Sequence, residues 1–87
     1  MTLQDAVLKV LDLTEEKGPS RITDDVRAVV HEAGKPFARV HLYLITPILK
    51  SFLEEKWAVQ KSAQSPIGGT IYFYCLTQEG LRQRESR

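Results

Sequence analysis

Few of the side chains that carry out chemistry lie at spacings that would bring them together. His31 and His41 are ten residues apart, and no cysteine or glutamate lies at metal-ligand spacing from either. The carboxylate pairs at 24–25 and 54–55 are typical of a helix start and of a solvated helix end. The glycine pair at 68–69 is not followed by the Lys-Ser/Thr of a phosphate-binding loop. These patterns predict no catalytic residue, no metal site and no cofactor.

The chain contains one cysteine, Cys75, within an apolar run. An intrachain disulfide is therefore excluded, and we expect Cys75 to behave as a small buried hydrophobe. No basic segment precedes an apolar run at the N-terminus, so no signal peptide is predicted. The longest apolar stretch, residues 42–49, is too short to cross a bilayer. Together these features predict a cytoplasmic protein.

The overall charge is close to neutral. Twelve Lys and Arg residues against eleven Asp and Glu give a net charge of +1. Nucleic-acid binders gain much of their affinity by releasing counterions from phosphates, so any such affinity here must come from local basic patches. With 87 residues, 43% of them hydrophobic, the chain is expected to form one folded domain over residues 1–87.

Local signals predict helices in the first half of the chain. Thr2 and Asp5 resemble a capping box, and the helix they begin is expected to fade near residues 15–17 and stop at the Gly-Pro pair 18–19. After an extended link at 20–22, Thr23 is predicted to cap a second helix that ends at Gly34.

A third helix is predicted over residues 38–56. Pro47 lies inside it, so either the helix is distorted there or Thr46 caps a helix that starts at Pro47; we predict one distorted helix. Its inward stripe follows helical spacing and comprises Leu42, Ile45, Ile48, Leu49, Phe52 and Leu53.

The period then changes from helical to alternating. Residues 57–62 and 70–76 are predicted to be strands joined by a turn at 64–69, and Thr77 is predicted to cap a short last helix. Alternation sends Phe73 and Cys75 to one face of the second strand. It sends Tyr72, Tyr74 and Leu76 to the other face.

Two segments resemble winged helix-turn-helix regulators of the PadR-like and MarR-like kinds. The run at 47–57 is similar to the end of their recognition helix, and Tyr74-Cys75-Leu76-Thr77-Gln78-Glu79-Gly80 is similar to the Tyr-x-Leu-Thr-x-x-Gly that ends their wing. Three departures stand out: Thr46 precedes Pro47 where PadR proteins usually have Tyr, Lys56 stands where their helix ends in Gly, and the wing tip is uncharged.

The resemblance implies an α+β winged helix-turn-helix fold, with three helices, a two-stranded β-hairpin wing and a short C-terminal helix. It implies a DNA-binding transcriptional regulator that binds double-stranded DNA, as a homodimer, with the third helix in the major groove. Phosphate or base contacts are then expected from Arg39, His41, Tyr43, Thr46, Lys50 and Ser51 on the helix and from Lys61, Gln64 and Ser65 on the wing.

The predicted outer side of the third helix also supports a second interpretation. Besides Lys50, Ser51 and Glu54, helical spacing places four largely apolar residues there: Val40, Tyr43, Leu44 and Pro47. Such a patch is typical of a contact with a protein partner or a second copy of the chain. A winged-helix protein-interaction module without direct DNA binding is therefore the alternative.

Overall fold

The computed structural model describes residues 2–34 and 40–87, and in these ranges the predicted α+β element order is confirmed. The two strands form an antiparallel hairpin, which together with the turn between them is called the wing. The elements are α1 (Leu3–Val10), α2 (Pro19–Glu32), α3 (Leu42–Glu54), β1 (Ala58–Gln64), β2 (Thr70–Leu76) and α4 (Gln78–Glu85).

The capping box of α1 is confirmed, but the predicted end of this helix is wrong. The Thr2 hydroxyl accepts from the Asp5 amide at 3.1 Å, and the Asp5 carboxylate accepts from the Thr2 amide at 3.0 Å. The helix ends at Val10, well before residues 15–17. The chain turns extended there because residues 12–17 run along the free edge of β2, where Lys17 and Tyr74 exchange backbone hydrogen bonds of 3.1 and 2.8 Å.

Helix α2 starts four residues earlier than Thr23, the predicted cap. Gly18 is the N-cap and Pro19 occupies the first turn. Proline is suited to this position because N–H groups in the first turn have no hydrogen-bond acceptor within the helix. Residues 20–22, expected to be an extended link, are therefore helical. Thr23 is buried in the helix and donates its hydroxyl hydrogen bond to the Pro19 carbonyl at 2.8 Å. The predicted end is confirmed, since Gly34 adopts a φ of 67° after the C-cap.

Helix α3 is a single helix that contains Pro47, as predicted, although its described bounds are narrower. Thr46 is no cap: its hydroxyl donates to the Leu42 carbonyl, one turn back, at 3.1 Å. The helix begins after His41 and ends at Glu54, because Lys56 takes a left-handed φ of 63°.

Two assignments at the start of α3 are wrong. Val40, predicted to face outward, is only 4% exposed, and Leu42, predicted to face inward, is 44% exposed. The helical wheel does not extend to Val40, because His41 is the N-cap. Val40 instead packs in the core cluster, and its carbonyl accepts a 2.8 Å hydrogen bond from Arg27 Nε.

The wing contains the predicted second strand at its predicted bounds, whereas β1 runs from Ala58 to Gln64 rather than over 57–62. Its paired register runs from Ala58 opposite Leu76 to Gln64 opposite Thr70. At the base of β2 both faces are covered, since Tyr74, Cys75 and Leu76 are all buried. The base of the wing is therefore fixed to the helical body, and the distal half projects from it.

One core cluster holds the elements together. Helices α1, α2 and α3 contribute most of its fully buried side chains, with Ala58, Tyr74 and Leu76 from the wing base. Thr77 caps α4, as predicted, by accepting from the Gly80 amide at 3.0 Å. The inner stripe of α3 consists of Ile45, Leu49 and Phe52, each at most 1% exposed. This stripe fixes which side of α3 faces the solvent.

Candidate nucleic-acid interface

The exposed side of α3 is the surface on which the sequence predicts the site. Tyr43 is 70% exposed, and Thr46, Pro47 and Lys50 lie exposed along the following turns. Ser51 is half-buried. Lys50 is the one cation of α3 itself, so it carries the positive charge that this helix can offer to a phosphate.

The start of α3 has an aromatic pair at its rim. The rings of His41 and Tyr43 stack with centroids 5.4 Å apart and an interplanar angle of 12°. The stack leaves the Tyr43 side chain exposed. The Thr46 hydroxyl donates to a helix carbonyl, so it can still accept a hydrogen bond from a ligand.

Arg39, predicted to pair with phosphate or guanine, lies outside the described residues. The described part of the site on the helix therefore begins at its N-cap, His41, and continues to Ser51.

On the wing, Lys61 is exposed but has a partner. Its Nζ lies 2.9 Å from a carboxylate oxygen of Glu16, on the segment between α1 and α2. The hydrogen bond to Glu16 and the charge of that carboxylate raise the pKa of Lys61. Lys61 is thus fully charged at neutral pH, with a carboxylate already beside it.

Gln64 and Ser65 have different roles at the far end of the hairpin. Gln64 closes β1 as an exposed residue. The half-buried Ser65 organises the wing tip, which comprises residues 65–69: its amide donates to the Gly69 carbonyl at 3.1 Å and its carbonyl accepts from the Gly68 amide at 3.1 Å. Its hydroxyl also accepts from the Ile67 amide at 3.3 Å. These bonds shape the tip around Ser65.

The wing tip carries a feature that the sequence interpretation missed. Ile67 is 95% exposed, more than any of the other large exposed hydrophobic residues in the described ranges. Gly68 and Gly69, with φ of 99° and 83°, close the turn behind it. An isoleucine among the polar and glycine residues of a predicted turn is the signal by which it could have been found.

The arginine-rich end of the chain stabilises the body of the fold. Arg84 donates to the carbonyls of Lys9 and Leu11 at 3.3 and 3.0 Å, which lie at the C-terminal end of α1. Arg87 pairs with Asp5 at 2.6 Å and lies 5.6 Å from the centre of the Trp57 ring. These contacts give two of the C-terminal arginines a role within the fold.

Lys17 was also missed by sequence reasoning, and its role is structural. Its side chain is 12% exposed, and Nζ donates to the Val10 carbonyl at 2.7 Å and to Asp25 at 2.9 Å. A cation at the end of α1 satisfies carbonyls that lack helical donors and suits the helix dipole. No sequence motif predicts this contact, because the contact depends on the early end of α1 at Val10.

Residues 2–34 and 40–87 contain neither a cluster of metal-ligating side chains nor a helix that could cross a membrane. No group of three His, Cys, Asp or Glu side chains in these ranges is arranged to hold a metal ion. No helix in them combines the length and apolar character needed to cross a bilayer.

The chain gives no match to protein-family models or to curated protein sequences. Solved structures do match. Bacillus subtilis PadR, determined in complex with operator DNA, superimposes with a TM-score of 0.78 at 20% identity, over 98% of this chain and 45% of that one. A PadR family transcription regulator from Clostridium difficile matches with a TM-score of 0.72 at 19% identity, over 97% of this chain and 80% of that one.

A PadR-like transcriptional regulator from Bacillus cereus matches with a TM-score of 0.66 at 23% identity, over 97% of this chain and 75% of that one. This chain thus spans less than half of the Bacillus subtilis protein and about three quarters of the other two. These similarities confirm the predicted winged helix-turn-helix fold and its resemblance to PadR-like proteins. The Clostridium difficile and Bacillus cereus neighbours are transcription regulators, and the Bacillus subtilis neighbour was determined with operator DNA.

Proposed function

We propose that this chain is a DNA-binding transcriptional regulator that places α3 in the major groove of duplex DNA and the wing against the backbone. The observation that carries the proposal is the outer side of α3, where Tyr43 and Lys50 are exposed beside a projecting wing. The fold supports it, since a neighbour with a TM-score of 0.78 was determined with operator DNA. A helix on a rigid body can act as a recognition helix when its outer side is free.

The proposed contacts divide by chemistry. Lys50 and Lys61 would bind phosphates as cations, and Arg39 keeps its predicted role at phosphate or guanine. His41, Tyr43, Thr46 and Ser51 offer hydrogen-bonding groups to base edges or phosphates. Gln64 and Ser65 would lie against the backbone at the wing.

The remaining parts of the proposal concern the state of the protein. We propose that residues 1–87 act as one winged-helix domain, since a single core cluster joins the helices to the wing base. The domain would work as a homodimer on a two-fold symmetric site, in the cytoplasm, without an enzymatic activity. The buried thiol of Cys75, whose pKa is raised by burial, fits a role in packing rather than in chemistry.

A protein-interaction module is the second candidate. Leu42, Tyr43 and Leu44 are 44%, 70% and 39% exposed on consecutive positions at the start of α3. Large adjoining apolar side chains in solvent are typical of a surface that binds a protein. In this case α3 would contact a partner or a second copy instead of DNA.

Fluorescence anisotropy with a labelled duplex of randomised sequence tests the first proposal. We expect binding at low salt that weakens steeply as salt is raised, because each phosphate contact releases counterions. Absence of binding at low salt would overturn the proposal. Self-association lost in Tyr43→Ala, measured by sedimentation, would then favour the protein-interaction module.

Lys50→Ala is the variant that tests the assigned surface. We expect weaker binding and a salt slope reduced by about one, since one phosphate contact is lost. Lys9→Ala is the matched control, because it removes the same charge from an exposed position of α1. Equal effects of the two variants would show that α3 has no special role.

A further inference from the structure

The exposed side of α3 carries a short apolar stripe that ends in a cation. This outer stripe follows i, i+3, i+4, i+7 spacing, lies on the side of the helix away from the core, and consists of the exposed residues Tyr43, Thr46, Pro47 and Lys50. At a rise of about 1.5 Å per residue the outer stripe is about 10 Å long, which corresponds to about three base pairs at about 3.4 Å each.

Helix α3 lacks the side chains that most often read bases by paired hydrogen bonds. Its 13 residues, all within the described part of the chain, include no Arg, Asn or Gln. Arginine reads guanine through two hydrogen bonds, and Asn or Gln reads adenine in the same way. Any base sequence that this helix distinguishes must therefore be read mainly by another kind of contact.

The three residues of the outer stripe before Lys50 offer apolar contacts instead. The Thr46 hydroxyl donates to the Leu42 carbonyl at 3.1 Å, so its one proton is used within the helix. The γ-methyl group is then the part of this exposed side chain that can make an apolar contact. Pro47 has no polar atom in its side chain, and Tyr43 presents an aromatic ring that is 70% exposed.

We propose that Tyr43, Thr46 and Pro47 read thymine through its C5-methyl group, at neighbouring base pairs of the major groove. This rests on the proposed function. Thymine is the one base of DNA that places a methyl group in the major groove, and threonine methyl groups and other apolar side chains contact it. Lys50, one turn beyond, then binds a phosphate at the edge of the same groove.

Deoxyuridine in place of thymidine tests the proposal, because it removes the C5-methyl group and keeps base pairing. The duplex is first selected by the wild-type chain from a randomised pool, and each thymine is then replaced in turn while anisotropy measures the affinity. Replacement of a thymine that α3 contacts is expected to weaken binding about four-fold, from the apolar area that is no longer buried. The loss is expected to stay constant as salt is raised, since no counterion is involved.

Thr46→Ser assigns the methyl contact to this helix, because it removes the γ-methyl group and keeps the hydroxyl that donates to Leu42. At one thymine position the variant is expected to lose the uracil penalty that the wild type shows, since the two groups in contact are then both absent. Thr70→Ser is the matched control: it removes the same methyl group from an exposed threonine of β2 and should keep every uracil penalty. Circular dichroism melting shows that each variant is folded.

Two outcomes would overturn the thymine contact and leave the proposed function standing. The first is wild-type binding that is unchanged by uracil at every position, or a selection that yields no preferred thymine. The second is a set of uracil penalties in Thr46→Ser equal to those of the wild type, because the methyl groups would then act through the shape of the duplex or through another part of the chain. Failure of the wild type to bind any duplex at low salt would overturn both proposals.

Discussion

Two residues at the junction of α3, β1 and α4 explain why the Tyr-x-Leu-Thr-x-x-Gly motif ends in glycine. A Cβ atom on Gly80 would lie 2.1 Å from the Trp57 carbonyl oxygen and 2.6 Å from a methyl group of Leu76. Thr77 joins the same junction, donating its hydroxyl to the Lys56 carbonyl at 2.7 Å and its amide to the Trp57 carbonyl at 2.9 Å. The motif therefore fixes the angle between the wing and the helical body, which positions the proposed DNA contacts.

Of the residues at this junction, Lys56 has the least favourable backbone conformation. Its φ of 63° is left-handed, the region in which a Cβ atom is crowded and glycine is not. We expect Lys56→Gly to raise the free energy of unfolding by about 1 kcal/mol. Urea denaturation measures it, with Lys56→Ala as the control that removes the same side chain without relieving the strain. Equal stabilities of the two variants would contradict this explanation.

At the scale of elements, the segment between α1 and α2 is held by one aspartate. The Asp12 carboxylate accepts from the amides of Glu15 and Thr14 at 2.7 and 3.0 Å, and its backbone carbonyl accepts from the Leu76 amide at 2.8 Å. The hydrogen bonds from Glu15 and Thr14 favour the charged form and lower the pKa of this carboxyl. A lowered pKa in the folded state stabilises the fold at pH values above the pKa of the unfolded chain.

The pH dependence of Asp12→Ala tests this arrangement. At pH 7 the variant is expected to melt below the wild type, because the turn at 12–15 loses its acceptor. The gap is expected to narrow as the pH falls below about 4, where protonation removes the same stabilisation from the wild type. Thermal melts between acid and neutral pH measure it. A gap of constant size across this range would show that the charge of Asp12 contributes nothing.

The elements that the sequence predicts well are those with local signals. The caps at Thr2 and Thr77, the end of α2 at Gly34 and the bounds of β2 each depend on neighbouring residues, and each is confirmed. The end of α1 depends instead on hydrogen bonds between residues 12–17 and β2, far along the chain. The Gly-Pro pair at 18–19 is ambiguous in sequence, because it can stop one helix and proline is equally suited to the first turn of the next.

The candidate site shows the same division. The helical period of α3 predicts that Ile45, Leu49 and Phe52 face inward, and it therefore also predicts correctly that Tyr43 and Lys50 are exposed. The prediction for Val40 is wrong because the helical period does not extend back past the N-cap, His41, and the prediction for Leu42, the first helical residue, is wrong as well. The partner of Lys61 has no sequence signal, since Glu16 meets it only through the packing of the wing base against residues 12–17.

At the scale of the whole molecule, a nearly neutral chain can bind DNA only if its charges are distributed unevenly. On the wing, Glu16 reduces the local positive charge, because its carboxylate lies 2.9 Å from Lys61 Nζ. Both side chains remain accessible to solvent, 60% exposed for Lys61 and 42% for Glu16. A phosphate approaching Lys61 must compete with that carboxylate. An exposed ion pair of this kind contributes little to stability, so it can be broken at small cost to the fold.

Glu16→Gln is therefore expected to bind duplex DNA several-fold more tightly than the wild type, with a salt slope steeper by about one, because Lys61 becomes free to release a counterion from DNA. Glu85→Gln on α4 is the matched control, since it changes the net charge equally at an exposed position away from the wing. The gain should disappear when Lys61→Ala is added to Glu16→Gln. An equal gain from Glu85→Gln would mean that net charge alone sets the affinity and that Lys61 does not contact DNA.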